Sequence, residues 1–116
     1  MRVKRGLVSR RKHNKLLEQA AGYRGSRSKL IRTAKQAVLQ AGSYAFAGRK
    51  NRKRDFRSLW ITRISENLKT QDMSYSVFMN KLKKANVVLD RKILADLVAN
   101  DAATFTHLVE MTKKVN

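Results

Sequence analysis

The sequence predicts an all-α protein: a long basic N-terminal extension, built as helix, turn and long helix, followed by a small C-terminal bundle of short helices. Three observations carry this. Arg49–Leu68 (RKNRKRDFRSLWITRISENL) repeats apolar residues at Phe56, Leu59, Trp60, Ile64 and Leu68, which is helical spacing, and no Pro or Gly interrupts it. Charge and apolar residues divide in opposite senses: residues 1–60 hold 18 Lys and Arg against 2 acids, and residues 61–116 hold 9 against 6. Large apolar residues number 13 in 1–55 and 24 in 56–116, so a core is expected in the second half. Finally, only Val87-Val88-Leu89 looks like a strand, and it has no partner of similar quality.

Taken in order, residues 1–8 (MRVKRGLV) read as a disordered or extended basic arm. Ser9 is a candidate N-cap for a short helix through about Ala21, with Leu16, Leu17 and Ala20 as a narrow apolar stripe. Gly22 is a natural stop. Gly22-Tyr23-Arg24-Gly25 is a turn and also a bare GxxG, the pattern that clamps backbone in KH domains; no strand follows, so the helix-breaker reading is preferred. A long helix is expected from about 27 to 70, bent or broken near Gly48. Arg27, Lys29, Arg32 and Lys35 sit in its first turns, the wrong end for cations by the helix dipole. Ala34, Ala37, Ala41 and Ala45 then recur at i+3 and i+4, either as good helix formers or as a smooth side that lets RNA or another helix approach.

After the polar connector Thr70–Ser74, Ser74 is placed as cap of a helix over Tyr75–Ala85 with Val77, Phe78 and Leu82 inward. Asn86–Leu89 is a linker. Asp90 caps a helix over Arg91–Ala99 with Ile93, Leu94, Leu97 and Val98 inward; Asp101 or Thr104 starts the last, with Phe105, Leu108, Val109 and Thr112 on one side. The expected domains are 1–59, a basic extension that orders on a polyanion, and 60–116, a small helical domain. The first is too self-repelling and too poor in apolar area to offset its ordering entropy alone.

Several function classes are excluded. The absence of Cys removes disulfides and thiolate metal sites and fits a reducing compartment. No apolar run approaches the roughly 18 residues of a membrane span, and a secretory leader is not expected, since no apolar central region follows the basic start. The acid-poor start mimics an organellar transit peptide, but the basic pattern runs on to Arg57. His13 and His107 lie at opposite ends, and neither Ser nor Thr has a paired base, so an enzyme is not expected, nor any cofactor or metal. A membrane-surface helix would need an apolar face opposite the charge; at about 100° per residue the cations of Arg49–Arg57 span roughly 200°.

A polyanion fits better. The net charge is +19, and Arg outnumbers Lys in residues 1–60, suiting forked contacts to phosphate. Candidate RNA contacts are Arg2, Lys4, Arg5, Arg10, Arg11, Lys12, His13 and Lys15; Tyr23, Arg24, Arg27, Lys29, Arg32 and Lys35; and Arg49, Lys50, Arg52, Lys53, Arg54, Arg57 and Arg63. Tyr23, Tyr44, Phe46 and Phe56 are interleaved and could stack on bases or pack within the protein. Lacking a dimer seam, the arm suits folded RNA better than regular duplex; a nucleoid-type or other DNA-binding protein is the alternative.

RVKRG, GYRGSRS from Gly22, KRDFRSLWITRI from Lys53, SYSVFMNKLKKA from Ser74 and DRKILADL from Asp90 together resemble bacterial-type large-subunit ribosomal protein number twenty, over nearly the whole chain and in order. The resemblance implies a basic helical extension threaded into 23S-type rRNA, a small helical C-terminal domain, an early role in large-subunit assembly and contacts with neighbouring large-subunit proteins. It implies a cytoplasmic location in the ribosome, or a plastid ribosome, with no membrane or small-molecule substrate. In some bacteria the family also represses its own operon by binding messenger RNA through the C-terminal domain. By position, Lys81, Lys83, Lys84, Arg91 and Lys92 are candidates for that surface. One departure is Arg2, where the family usually has a small residue after Met1; it bears on removal of Met1, not on function.

Overall fold

The computed structural model describes residue 2 and residues 4–115. Among these, five α-helices and one 3-10 turn follow in order: α1 (Gly6–Gln19), the turn Gly25–Ser28, α2 (Ile31–Lys69), α3 (Tyr75–Lys84), α4 (Arg91–Asn100) and α5 (Ala102–Lys113), with no strand. The all-α expectation is met. Met1 and Val3, in the expected arm, lie outside the described residues. The chain divides into two units, Met1–Lys50 and Asn51–Asn116.

In the first unit, α1 starts at Gly6, ahead of the Ser9 cap expected from sequence. The Ser9 amide already donates to the Arg5 carbonyl at 3.1 Å, so Ser9 sits within the first turn. Nothing between Gly6 and Ser9 forbids helical backbone, and one residue's capping preference does not override a continuing hydrogen-bond ladder. The helix ends as expected: Gly22 has φ +84°, left-handed backbone that glycine adopts at least cost.

The long helix begins at Ile31 rather than near Arg27. Gly25, at φ +62°, opens the 3-10 turn, and the Ser26 carbonyl then accepts from the amides of Lys29 (3.1 Å) and Leu30 (2.8 Å) and from Thr33 Oγ1 (3.0 Å). That shared acceptor ties the turn to the start of α2. Gly48 neither breaks nor ends the helix; its cost of about 1 kcal/mol is borne by 39 residues of ladder. Among the described residues of this unit only Ala20 and Ala34 are fully buried, with Leu16, Leu17, Ile31, Ala37 and Val38 half-buried.

The second unit holds the core: Ile64 and Leu68 of α2, Phe78 and Leu82 of α3, Leu94 and Ala95 of α4, and Phe105 and Val109 of α5. Trp60 packs against this cluster but is only half-buried. α5 packs on both α3 and α4, and the Phe78 and Phe105 rings meet at 5.6 Å between centroids. Two residues expected inward are not. Val77 and Ile93 each stand about 100° from the arcs centred on Phe78 and Leu94, and both are nearly half exposed. Ala95, not expected, takes a core place.

Both connectors are hydrogen-bonded turns of one kind. After α2, the Met73 amide donates to Leu68 O (3.1 Å) and the Asp72 amide to Lys69 O (3.3 Å), with Asp72 at φ +53°. After α3, the Val87 amide donates to Leu82 O (3.0 Å) and the Asn86 amide to Lys83 O (3.1 Å), with Asn86 at φ +54°. These are Schellman closures, and in each the residue past the turn joins the cluster that holds its acceptor: Met73 with Leu68, Val87 with Leu82. Ser74 and Asp90 occupy extended cap positions without a side-chain bond to the helix. Asp101 is a full cap, its Oδ1 accepting from the Thr104 amide (3.1 Å) and Oδ2 from Thr104 Oγ1 (2.6 Å). Both bonds favour the carboxylate, and they hold its pKa below the ordinary 3.8, the Thr104 hydroxyl being the larger cause.

Candidate nucleic-acid interface

The cations of residues 1–63 are held outward by helix geometry, and those of the first unit also by the lack of large buried side chains to draw them in. α1 carries Arg10, Arg11, Lys12, His13 and Lys15, with Arg2, Lys4 and Arg5 just before it. The turn carries Arg24 and Arg27, followed by Lys29. α2 carries Arg32, Lys35, Arg49, Lys50, Arg52, Lys53, Arg54, Arg57 and Arg63. Every one of these side chains is exposed. Among the described residues, none makes an ion pair, although Glu18 and Asp55 lie in the same stretch. Helices that carry this much unneutralised charge repel themselves, and the repulsion is relieved only by counterions or by an external anion.

Two cations of α2 are steadied on aromatic faces one helical turn away. Lys50 Nζ lies 4.4 Å from the Phe46 ring centre and Arg52 Cζ 5.7 Å from that of Phe56. Such contacts at exposed sites are worth about 0.5–1 kcal/mol. Phe56 also tilts against Trp60 at 6.1 Å. Phe46 and Phe56 are therefore engaged by their own helix. Tyr23 and Tyr44 have no such ring or cation contact among the described residues, and both line a groove of about 620 Å³ between the Gly22–Ser28 turn and α2.

In the second unit, Lys81 and Lys84 lie in the last turn of α3, where the helix dipole favours cations, and Arg91 and Lys92 open α4. Lys81 and Arg91 are half-buried, and Arg91 Nε is shielded without an acceptor among the described residues. The sequence reading did not single out Gln36 and Gln40, which line the groove beside Tyr44. Their spacing of four was a legible signal, but only the fold brings the Tyr23 turn opposite them.

Among the described residues, no group of three or more His, Asp or Glu could hold a metal ion, and no helix is long and apolar enough to cross a membrane. Comparison with known proteins agrees with the residue pattern. The family model described as Ribosomal protein L20 matches residues 2–108. The chain is 54% identical over 113 residues to the large ribosomal subunit protein bL20 of Roseiflexus sp. (strain RS-1), covering 97% of each. It is 54% identical over 112 residues to the protein of that name from Herminiimonas arsenicoxydans and 53% identical to that of Psychrobacter arcticus, covering 97% of this chain and 94% and 95% of theirs. This is a family of ribosomal proteins rather than enzymes. With its basic helical first half, its short-helix core and motifs matched along nearly its whole length, the chain belongs to the ribosomal protein L20 family.

Proposed function

We propose that this protein is a structural constituent of the large ribosomal subunit that binds 23S-type rRNA directly and promotes early subunit assembly. The observation that carries the reading is the set of 18 exposed Lys and Arg in residues 1–60, none paired to a carboxylate among the described residues. In this reading residues 1–59 thread between RNA helices and 60–116 form a self-supporting domain that also meets neighbouring large-subunit proteins. The cations neutralise phosphates where RNA strands crowd, and they release condensed counterions. For Z phosphates the logarithm of affinity falls against the logarithm of salt with a slope of about −0.7 to −0.9 Z. Lys81, Lys83, Lys84, Arg91 and Lys92 offer a second, smaller surface by which the C-terminal domain would hold its own messenger RNA.

The test is competition of large-subunit rRNA fragments against duplex DNA for the full chain at near-physiological salt. Preference for rRNA is expected; equal or better binding of DNA would assign the protein to nucleoid-type packing instead. A circular dichroism measurement tests ordering on RNA: free residues 1–50 should show weak helical signal in low-salt buffer and gain it with rRNA.

A further inference from the structure

The groove of the first unit joins features that phosphate binding alone does not require. One wall is two turns of α2, where Gln36, Gln40 and Tyr44 follow at four-residue spacing and therefore share a ridge. Beside them Ala37 and Ala41 offer only methyl groups, so a flat molecule can lie close to the helix backbone. The facing turn supplies Tyr23 and the guanidinium groups of Arg24 and Arg27. None of these polar side chains has a hydrogen bond or ion pair among the described residues. The groove, about 620 Å³ and open to solvent along one side, has the size of a small-ligand site. It is far too small for a duplex.

The chemistry sorts the ligand. Two free aromatic rings favour a flat π system. Two amides, each both donor and acceptor, favour a heterocycle with mixed polar edges. Two guanidinium groups at the same mouth favour phosphate. A nucleotide has all three parts, and a base paired within a helix could not enter. We propose that this groove receives one unpaired base of the bound RNA: its ring against the tyrosines, its edge toward Gln36 and Gln40, its flanking phosphates on Arg24 and Arg27. The assignment rests on the RNA-binding reading above and adds to it a single point of base recognition.

The experiment measures affinity of the full chain for a large-subunit rRNA transcript across a salt series, with chemical probing of base reactivity. Tyr23→Ala and Tyr44→Ala should each weaken binding about 5- to 150-fold while leaving the salt slope unchanged. One unpaired base should regain reactivity in both, with the rest of the footprint kept. Tyr44→Phe should behave as wild type. Arg24→Gln should lower the slope by about 1. Ala41→Leu, which keeps helix propensity but fills the groove, should reproduce the tyrosine losses without touching a ring. Tyr44 is 69% exposed, so its removal leaves the fold intact. Tyrosine and Ala41 variants equal to wild type, with no base altered and the salt slope retained, would overturn the groove assignment alone. A wild-type chain without salt-dependent affinity for this RNA would overturn the underlying reading, and the groove with it.

Discussion

The residues up to Lys50 and those from Asn51 form helices of equal regularity that are held by different means. In the second unit every helix buries large side chains, including Ile64, Leu68, Phe78, Leu82, Leu94, Phe105 and Val109. In the first, the only fully buried side chains among the described residues are those of Ala20 and Ala34. Helices of this length owe most of their stability to packing of an apolar face, and the first unit has little face to pack. The unit that carries most of the charge is thus the one with the smaller share of buried apolar surface.

The largest expected contrast is in salt dependence. If residues 1–60 neutralise six to ten phosphates, their affinity for rRNA should fall by about 10³–10⁵ between roughly 50 and 200 mM salt. Residues 61–116, with nine cations against six acids, should show a shallow slope. Equal slopes in a binding titration would erase the division of labour. Next is stability. Phe105→Ala, which empties a fully buried site beside Phe78, should cost about 3–5 kcal/mol in urea unfolding. Half-buried Trp60→Ala should fall below that range, and Leu39→Ala, at a residue 66% exposed, should stay within about 0.5 kcal/mol. Comparable losses at Phe105 and Leu39 would contradict a one-sided core.

A smaller effect has the opposite sign. Asp72→Gly and Asn86→Gly relieve left-handed backbone at both Schellman turns and should each raise stability by about 0.5–1 kcal/mol. A loss at Asn86 would mean that its side chain holds the turn. The smallest concerns the Asp101 cap. Its folded pKa is lowered, so its contribution is present above the unfolded value near 3.8 and is lost as pH falls through the folded one. The melting temperature of Asp101→Ala should trail wild type at neutral pH and converge with it in acid. A gap that stays constant with pH would remove the carboxylate from the explanation.

Much of the fold was legible because its signals are periodic. Phe78 with Leu82 and Phe105 with Val109 repeat at four, and the structure buries all of them. Val77 and Ile93 stand outside the core because adjacent apolar residues on a helix differ by about 100°, and sequence alone does not say which one centres the arc. The start of α2 is not legible in the sequence because Ser26 accepts three bonds, an event set by backbone turn geometry rather than by side-chain pattern. Of the candidate interface, the exposure of the cations was legible from composition. The pairing of Phe46 with Lys50, and the meeting of Tyr23 with Gln36, Gln40 and Tyr44, depended on rotamers and on where the turn folds back.

Element order has a consequence for the protein's manufacture. Ribosomes make the first 60 residues before any of the side chains from Ile64 onward that close the core. At about 5–20 residues per second, the nascent tail spends roughly three to twelve seconds emerging with no hydrophobic centre of its own. The order of synthesis therefore puts the charge ahead of the core, and the cations emerge before the six acids of the second half exist to offset them.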